Sequence, residues 1–246
     1  MLPKILCFTA FLLLANSGFG QSPELQLYMP DAPPLTFLSD TGGHGMVGDV
    51  ALAAIARAGY HAQVQMEPWA RAQKRVSAGH DLLIIPLSRT PLRESSYTWI
   101  APIMRMERAF FSLHHKVDSF AEAKRRFRLI GVGLGSAQQE ILRTAGFPEK
   151  QLYPLTIGEN PARLLEMGRI DAWFNGVPES PYIWKRISQR PLLMGKPMAA
   201  TDLYLACAKD CDPALVAQLR RAVEELRAEG TLQRLLDAYA APAVPE

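Results

Sequence analysis

Strand and helix patterns alternate along the chain from residue 25 onward. Leu25 to Met29 alternates apolar and polar side chains, as a half-buried strand does, and Asp49 to Ala58 has apolar residues at helical spacing. Tyr60 to Met66 predicts a second strand, and Pro68 to Ala78 predicts a second helix with proline near its start. Leu82 to Leu87 is a continuous apolar run, typical of a strand buried on both faces of a parallel sheet. These segments together predict a βαβαβ unit.

A second alternating set follows the first. It comprises predicted strands at 108–114, 127–133, 152–157 and 171–174, and predicted helices at 119–126, 136–144, 161–167, 213–229 and 231–239. Alternation of this kind favours mostly parallel sheets that are covered by helices on both faces. No low-complexity linker separates the two sets, so the sequence predicts an α/β protein with two lobes that face one cleft.

The first twenty residues have the pattern of a secretory signal peptide. Lys4 supplies the positive start, the eleven residues from Ile5 to Ala15 are apolar apart from Thr9, and Gly18 and Gly20 precede a cleavage site before Gln21. Eleven residues are too few to cross a bilayer core, which needs about 20 residues of helix. We therefore expect cleavage near Gly20 and export to the periplasm.

Charge and motif content exclude several classes of function. The chain has 27 Lys and Arg against 24 Asp and Glu, and a formal charge of +3 is too small to make nucleic acid the main partner. It has no G-x-S-x-G, no H-E-x-x-H and no phosphate loop ending in Gly-Lys-Ser/Thr. At 48% hydrophobic and 21% charged residues, the composition is that of an ordinary globular protein.

Cys207 and Cys211 are the two cysteines that remain after the signal peptide. An extended chain would hold their Cα atoms about 13 Å apart, which is beyond disulfide range. Lys209-Asp210 and Asp212-Pro213 favour a turn that closes the gap. In an oxidising compartment we predict a structural disulfide. We predict no metal site here, because no histidine or third cysteine lies nearby in sequence.

The apolar run at 82–87 ends in polar residues that suit a ligand. Ser88, Arg89 and Arg93 fall at the carboxyl end of the predicted strand, where open α/β sheets bind their ligands. A guanidinium group in that place can hold a carboxylate through two parallel hydrogen bonds. The alternative is that these are surface arginines that pair with Glu94.

A second candidate lies at Gly135-Ser136, between a buried strand and a helix. Ser136 and Gln139 have the spacing of a capping box. The free N–H groups of a helix start favour an anionic or carbonyl group. The alternative is an ordinary helix cap that binds nothing, and both interpretations remain open.

Six segments in a fixed order carry a resemblance to a known family. They are Met66-Glu67-Pro68-Trp69-Ala70-Arg71-Ala72, Asp81 to Glu94, Trp99 to Pro102, Gly135 to Glu140, Gly168 to Ala172, and Leu226 to Thr231. Together they resemble the extracytoplasmic solute-binding proteins of family 3, the type II periplasmic proteins that deliver polar amino acids to ABC transporters. The resemblance covers nearly all of residues 24 to 240.

The resemblance implies a two-lobed periplasmic-binding-protein type II fold. Each lobe would contain a mixed, mostly parallel sheet flanked by helices, and a hinge with two crossovers would join the lobes. After a signal peptide at 1–20, the first lobe would comprise residues 21–107 plus 200–246, and the second lobe residues 108–199.

The resemblance also implies a set of ligand-binding residues. Arg93 matches the arginine that holds the α-carboxylate of the ligand, Ser88 matches a binding residue at a strand end, and Trp69 matches an aromatic that stacks on the ligand. Ser136 and Gln138 fall in the loop of the second lobe that completes the carboxylate site.

The acid that binds the amine in this family is missing at its usual place. It should follow the strand 171–174, but Asn175 and Gly176 stand there, and Asn175 offers only a neutral oxygen. A buried ammonium without a carboxylate is unfavourable. The expected ligand is therefore a carboxylate without a free α-amine, or an aromatic or acylated relative, that contacts Asn175.

We accordingly expect a monomeric periplasmic binding protein that captures a small organic solute by hinge closure and delivers it to an ABC permease or a sensor. No cofactor, metal or catalytic residue is predicted. Two alternatives remain open. One is a secreted enzyme on the same fold, similar to cyclohexadienyl dehydratases, for which Glu140 and Glu179 are the nearest acid or base candidates. The other is a stand-alone binding module without a transporter.

Overall fold

The computed structural model describes residues 23–39, 42–158 and 160–239. The predicted signal peptide lies outside these residues, so export stays a prediction. Within the described ranges, none of the helices combines the length and the apolar character that a membrane span requires.

The described residues form nine strands and eight α-helices. The strands are β1 (Glu24–Met29), β2 (His61–Met66), β3 (Leu83–Ser88), β4 (Tyr97–Ser112), β5 (Ile130–Gly133), β6 (Leu152–Leu155), β7 (Ala172–Gly176), β8 (Leu193–Met194) and β9 (Ala199–Ala208). The helices are α1 (Met46–Arg57), α2 (Trp69–Ser77), α3 (Phe120–Arg126), α4 (Ala137–Thr144), α5 (Asn160–Glu166), α6 (Glu179–Ile187), α7 (Pro213–Ala228) and α8 (Thr231–Asp237).

One sheet runs through both lobes in the order β2-β1-β3-β9-β4-β7-β5-β6, with β8 paired to β4. The outer pairs of each lobe are parallel, as the alternating pattern predicted. The long strands β4 and β9 are antiparallel to each other and join the two parallel parts. The hinge is therefore a pair of hydrogen-bonded strands that belong to the sheet.

The apolar side chains divide into separate cores on either side of this pair. The first core packs β1, β3 and α1 against β9 and α7, with Leu27, Val50 and Leu219 fully buried. The second lobe has one core on each face of its sheet, because Phe110 and Phe111 are neighbours on β4 and point to opposite faces. Since the sheet is continuous between the lobes, the boundary residues given above stay a prediction.

Three elements, β8, β9 and α6, were not predicted from the sequence. The predicted strand 108–114 is only the end of β4, so that strand was predicted in part. Residues 97–107 do not alternate regularly, because Pro102 interrupts them and the register shifts beside it. The first turn of α6 contains Ser180-Pro181 after Glu179, and serine and proline are poor helix formers, so the sequence there does not indicate a helix.

The predicted disulfide is confirmed. Cys207 at the end of β9 is bonded to Cys211, and a turn brings their Cα atoms to 6.1 Å. The bond connects the end of β9 to the segment that leads into α7.

Candidate functional site

A cleft lies between the lobes, beside the carboxyl ends of β3, β5 and β7. Its lining includes apolar residues from both lobes, namely Pro30, Leu35, Trp69, Met106, Ile157, Trp173, Ile183 and Leu203. The cavity volume is about 50 Å³, which is room for several water molecules. Strand ends of this kind are where open α/β sheets bind ligands.

All six residues predicted for the ligand site line this cleft. They are Trp69, Ser88, Arg93, Ser136, Gln138 and Asn175. The structure thus brings together side chains that are more than 100 residues apart in sequence. Their individual roles in binding stay predictions.

Arg93 and Arg89 have different environments. Arg89 pairs with Glu94 through two hydrogen bonds at the surface, so the surface-pair alternative holds for Arg89. The Arg93 side chain is only 11% exposed and donates to the carbonyl oxygens of Ser88 at 3.2 Å and Gly135 at 2.9 Å. Burial lowers the pKa of Arg93, and the charge of Glu140 acts in the opposite direction.

The hydrogen bond between Arg93 and Gly135 joins the two lobes beside the cleft. Gln73 Nε2 donates to the same carbonyl oxygen at 2.9 Å, and Thr90 Oγ1 donates to Glu140 Oε2 at 3.0 Å. We call these three bonds the interlobe clasp. Gly135 has φ +68°, and a Cβ there would lie 3.3 Å from the Cβ of Ala70 in the first lobe. The interlobe clasp therefore holds the protein in a closed conformation. This conformation favours glycine at position 135, because a side chain there would be strained and close to the first lobe.

Ser136 caps α4 as its spacing predicted. Its Oγ accepts from the N–H of Gln139 and donates to the carbonyl of Gly133 at 2.7 Å. Next to it, Gln138 Nε2 donates to Asn175 Oδ1 at 2.9 Å. These bonds fix both amide groups at the wall of the cleft formed by the second lobe.

Arg108 was missed from the sequence, and it is the most buried charged residue of the cleft. It is 2% exposed and lies on β4. Its Nη1 donates to the carbonyl of Met106 at 3.2 Å and to Thr201 Oγ1 at 2.8 Å, while Nη2 donates to Ser88 Oγ at 2.8 Å. Burial lowers the pKa of Arg108 to about 10, so it stays protonated at neutral pH. The one clue in the sequence was an arginine directly before an apolar strand segment.

Glu179 on α6 places an acid in the cleft, close to the end of β7, where the acid of the family is missing from the sequence. No motif supported it, yet it lines the cleft from the first turn of α6 and is 6% exposed. Its carboxylate lies over Gly176, where an added Cβ would collide with Glu179 Oε2. Burial raises the pKa of Glu179 to about 7, while Arg108 and the N–H of Gly176 act in the opposite direction. The space beside the usual acid position is thus filled by an acid from three residues further on, and whether it replaces the family residue in binding stays a prediction.

Comparison with protein families identifies one matching family model. The model for bacterial extracellular solute-binding proteins, family 3, matches residues 27–242. Comparison of the sequence with curated proteins found no significant match.

Solved structures share the architecture at low sequence identity. An ancestral arginine-binding protein bound to arginine has a TM-score of 0.77 and 16% identity, over 88% of this chain and 97% of that one. A histidine kinase sensor domain with similarity to periplasmic binding proteins has a TM-score of 0.79 and 18% identity, over 89% and 96%. The ancestral amino acid-binding protein AncCDT-1, a precursor of cyclohexadienyl dehydratase, has a TM-score of 0.75 and 18% identity, over 89% and 96%. These likenesses confirm the predicted two-lobed α/β fold.

Proposed function

Because the chain belongs to the bacterial extracellular solute-binding proteins of family 3, we propose that it captures a small organic solute, amino-acid-like or carboxylate, between its two lobes. The observation that carries this proposal is the convergence of side chains from both lobes on one closed cleft. Trp69 and Arg93 reach the cleft from the first lobe, and Gln138 and Asn175 from the second. A ligand that contacts both sets favours the closed state, because only that state offers both at once.

The lining supports a ligand with an apolar body and a few polar groups. Trp69 and Trp173 provide aromatic surface, and Arg108 and Glu179 provide buried groups of opposite charge. Ligand sites typically combine a mostly apolar wall with a small number of placed polar groups. The presence of Glu179 means that a free amine on the ligand is compatible with the cleft.

The captured solute would be delivered to a partner in the membrane. We propose an ABC permease or a sensor as that partner and the periplasm as the location, with the protein acting as a monomer. The family description supports action outside the cytoplasm. The likeness to a sensor domain supports the second kind of partner.

A thermal-shift screen over amino acids, carboxylic acids, amines and short peptides tests the proposal. A solute at about 100 times its dissociation constant adds about 2.7 kcal/mol to the free energy of unfolding, which is readily detected. We expect at least one compound to raise the melting temperature of the wild type and not of Trp69→Ala. If no compound of any class stabilises the protein, the proposed function is wrong.

One observation favours a second candidate, an enzyme on the same fold. Glu179 is a buried carboxyl in the cleft with a pKa raised to about 7, as a general acid or base requires. Incubation with prephenate or arogenate and detection of an aromatic product would test it. We expect no product, and product that disappears in Glu179→Gln would establish the enzyme instead.

A further inference from the structure

The cleft contains a charged donor that the protein only partly satisfies. A guanidinium group has five N–H donors, and Arg108 uses three of them on Met106, Thr201 and Ser88. Its Nε has no hydrogen-bond partner in the part of the chain that the structure describes. The other buried atoms of this kind there belong to Glu67 and Glu166, which do not line the cleft.

The protein holds this arginine firmly in place. Its three bonds go to groups on β3, β4 and β9, so three adjacent strands of the hinge region fix the guanidinium group. Glu179 is the acid whose charge acts most strongly on Arg108, but the two side chains form no ion pair within 4.0 Å among the described residues. A fixed, buried, partly unpaired guanidinium group favours an acceptor that carries negative charge.

Arg93 is less suited to that role in the closed conformation. Both of its terminal nitrogens donate to backbone carbonyls, one in each lobe, and its Nε lies 4.0 Å from Glu140 Oε2. Arg93 thus already has a carboxylate near its guanidinium group and is held by the interlobe clasp. Among the described residues Arg108 has no carboxylate within 4.0 Å, so its charge is left for another group.

We propose that Arg108 is the residue that binds the acidic group of the ligand, and that the ligand is a small carboxylate whose apolar or aromatic body packs between Trp69 and Trp173. This inference rests on the proposed function and assigns the anion to the hinge strand β4. The ligand carboxylate accepts from the second N–H of Arg108 Nη2, which the hydrogen bond to Ser88 leaves free. The charge of the guanidinium group, whose Nε is buried beside it, attracts the carboxylate as well. Both tryptophans line the same cleft, so the body of the ligand has aromatic surface within reach.

The test uses matched pairs of carboxylic acids and their primary amides. The panel contains acetate, butyrate, 3-phenylpropionate, phenylalanine and indole-3-acetate, each with its amide, and an amine series without carboxylate. We expect at least one acid to stabilise the wild type, and its amide to bind at least tenfold more weakly. Arg108→Lys keeps the charge but loses the fork, so it should weaken the same acid at least tenfold, whereas the surface variant Arg89→Gln should stay within twofold of the wild type.

A second measurement uses the wild-type protein alone, so it does not depend on the folding of a variant. It follows the arginine Nε–H resonances in a ¹⁵N spectrum. Addition of the binding acid should shift one protected Nε–H resonance, and its amide should leave that resonance in place. Equal binding of acid and amide, binding by amines alone, or full affinity in Arg108→Lys would overturn this inference while leaving solute binding intact. Failure of every acid, amide and amine to bind would overturn the proposed function as well.

Discussion

Arg93 and Arg108 lie in the same cleft but have different partners, and this difference determines how each should respond to mutation. Arg93 donates to Ser88 and Gly135 and so contacts both lobes. Arg108 donates to Met106 and Thr201 on the hinge strands β4 and β9, and to Ser88 on the adjacent strand β3. Loss of Arg93 therefore affects closure, whereas loss of Arg108 affects the charge inside the closed cleft.

Arg93→Ala should weaken solute binding by at least about 2 kcal/mol, because charge-assisted hydrogen bonds of the closed state are lost. The free energy of unfolding should change little, because Arg93 lines a cleft and is not packed in a core. Isothermal titration with the solute found in the screen measures the change, and Arg89→Ala is the matched surface control. Unchanged affinity in Arg93→Ala would remove this residue from the site.

Glu179 should make stability depend on pH. Its pKa is about 7 in the folded protein against 4.5 for an unperturbed glutamate, so between these values the folded state binds more protons than the unfolded state. Stability should therefore fall as pH rises from about 4.5 to about 7, by about 3 kcal/mol in total, and this contribution should be constant above pH 7.

Urea unfolding of wild type and Glu179→Gln at several pH values measures this contribution. The variant cannot ionise at position 179, so the difference in unfolding free energy between the two proteins should change across that pH range and then stay level. Parallel curves for the two proteins would show that Glu179 titrates normally.

At the scale of elements, regular patterns could be predicted and irregular ones could not. Helices α1, α2 and α7 and strands β1 and β2 follow one period each, and β3 is a continuous apolar run. The structure has all of them within a few residues of the prediction. Most of β4 and all of β9 were not predicted, because the pattern of buried and exposed side chains changes along each strand as it passes from one lobe to the other. No local period describes such a strand.

The candidate site followed the same rule. Side chains at the ends of well-defined strands, such as Ser88 and Asn175, line the cleft, and their roles in binding stay predictions. Arg108 was predicted to lie on a strand but not in the site, and Glu179 was named only for the enzyme alternative, because most of β4 and all of α6 were not predicted. Their role depends on pairing between distant strands, which a local pattern does not contain.

Two serine caps in the second lobe offer a test of how α4 contributes. Ser136 caps α4 at the cleft, and Ser119 caps α3 away from it, each accepting from the N–H three residues later. Alanine at either position should lower the free energy of unfolding by about 1 kcal/mol. Only Ser136→Ala should also weaken solute binding, measured by calorimetry. Equal effects of both variants on binding would mean that Ser136 is an ordinary cap.

At the scale of the whole molecule, the two lobes share one sheet and meet again at the interlobe clasp. Removing two clasp donors in Gln73→Ala/Thr90→Val should shift the free protein toward open conformations. Small-angle scattering should then show a larger radius of gyration than in the wild type, and saturating solute should restore the smaller value. Equal radii for the two free proteins would show that the clasp does not control closure.

The clasp also has a consequence for the order of events in time. A solute cannot enter a cleft that is shut, so the lobes must separate before each capture. At high solute concentration the observed association rate should stop rising and level off at the rate of opening, instead of increasing without limit as for an always-open cleft. The same few hydrogen bonds then set both the stability of the closed state and the rate of capture. A variant that weakens the hydrogen bonds from Gln73 and Arg93 to Gly135 should therefore take up the solute faster and release it sooner.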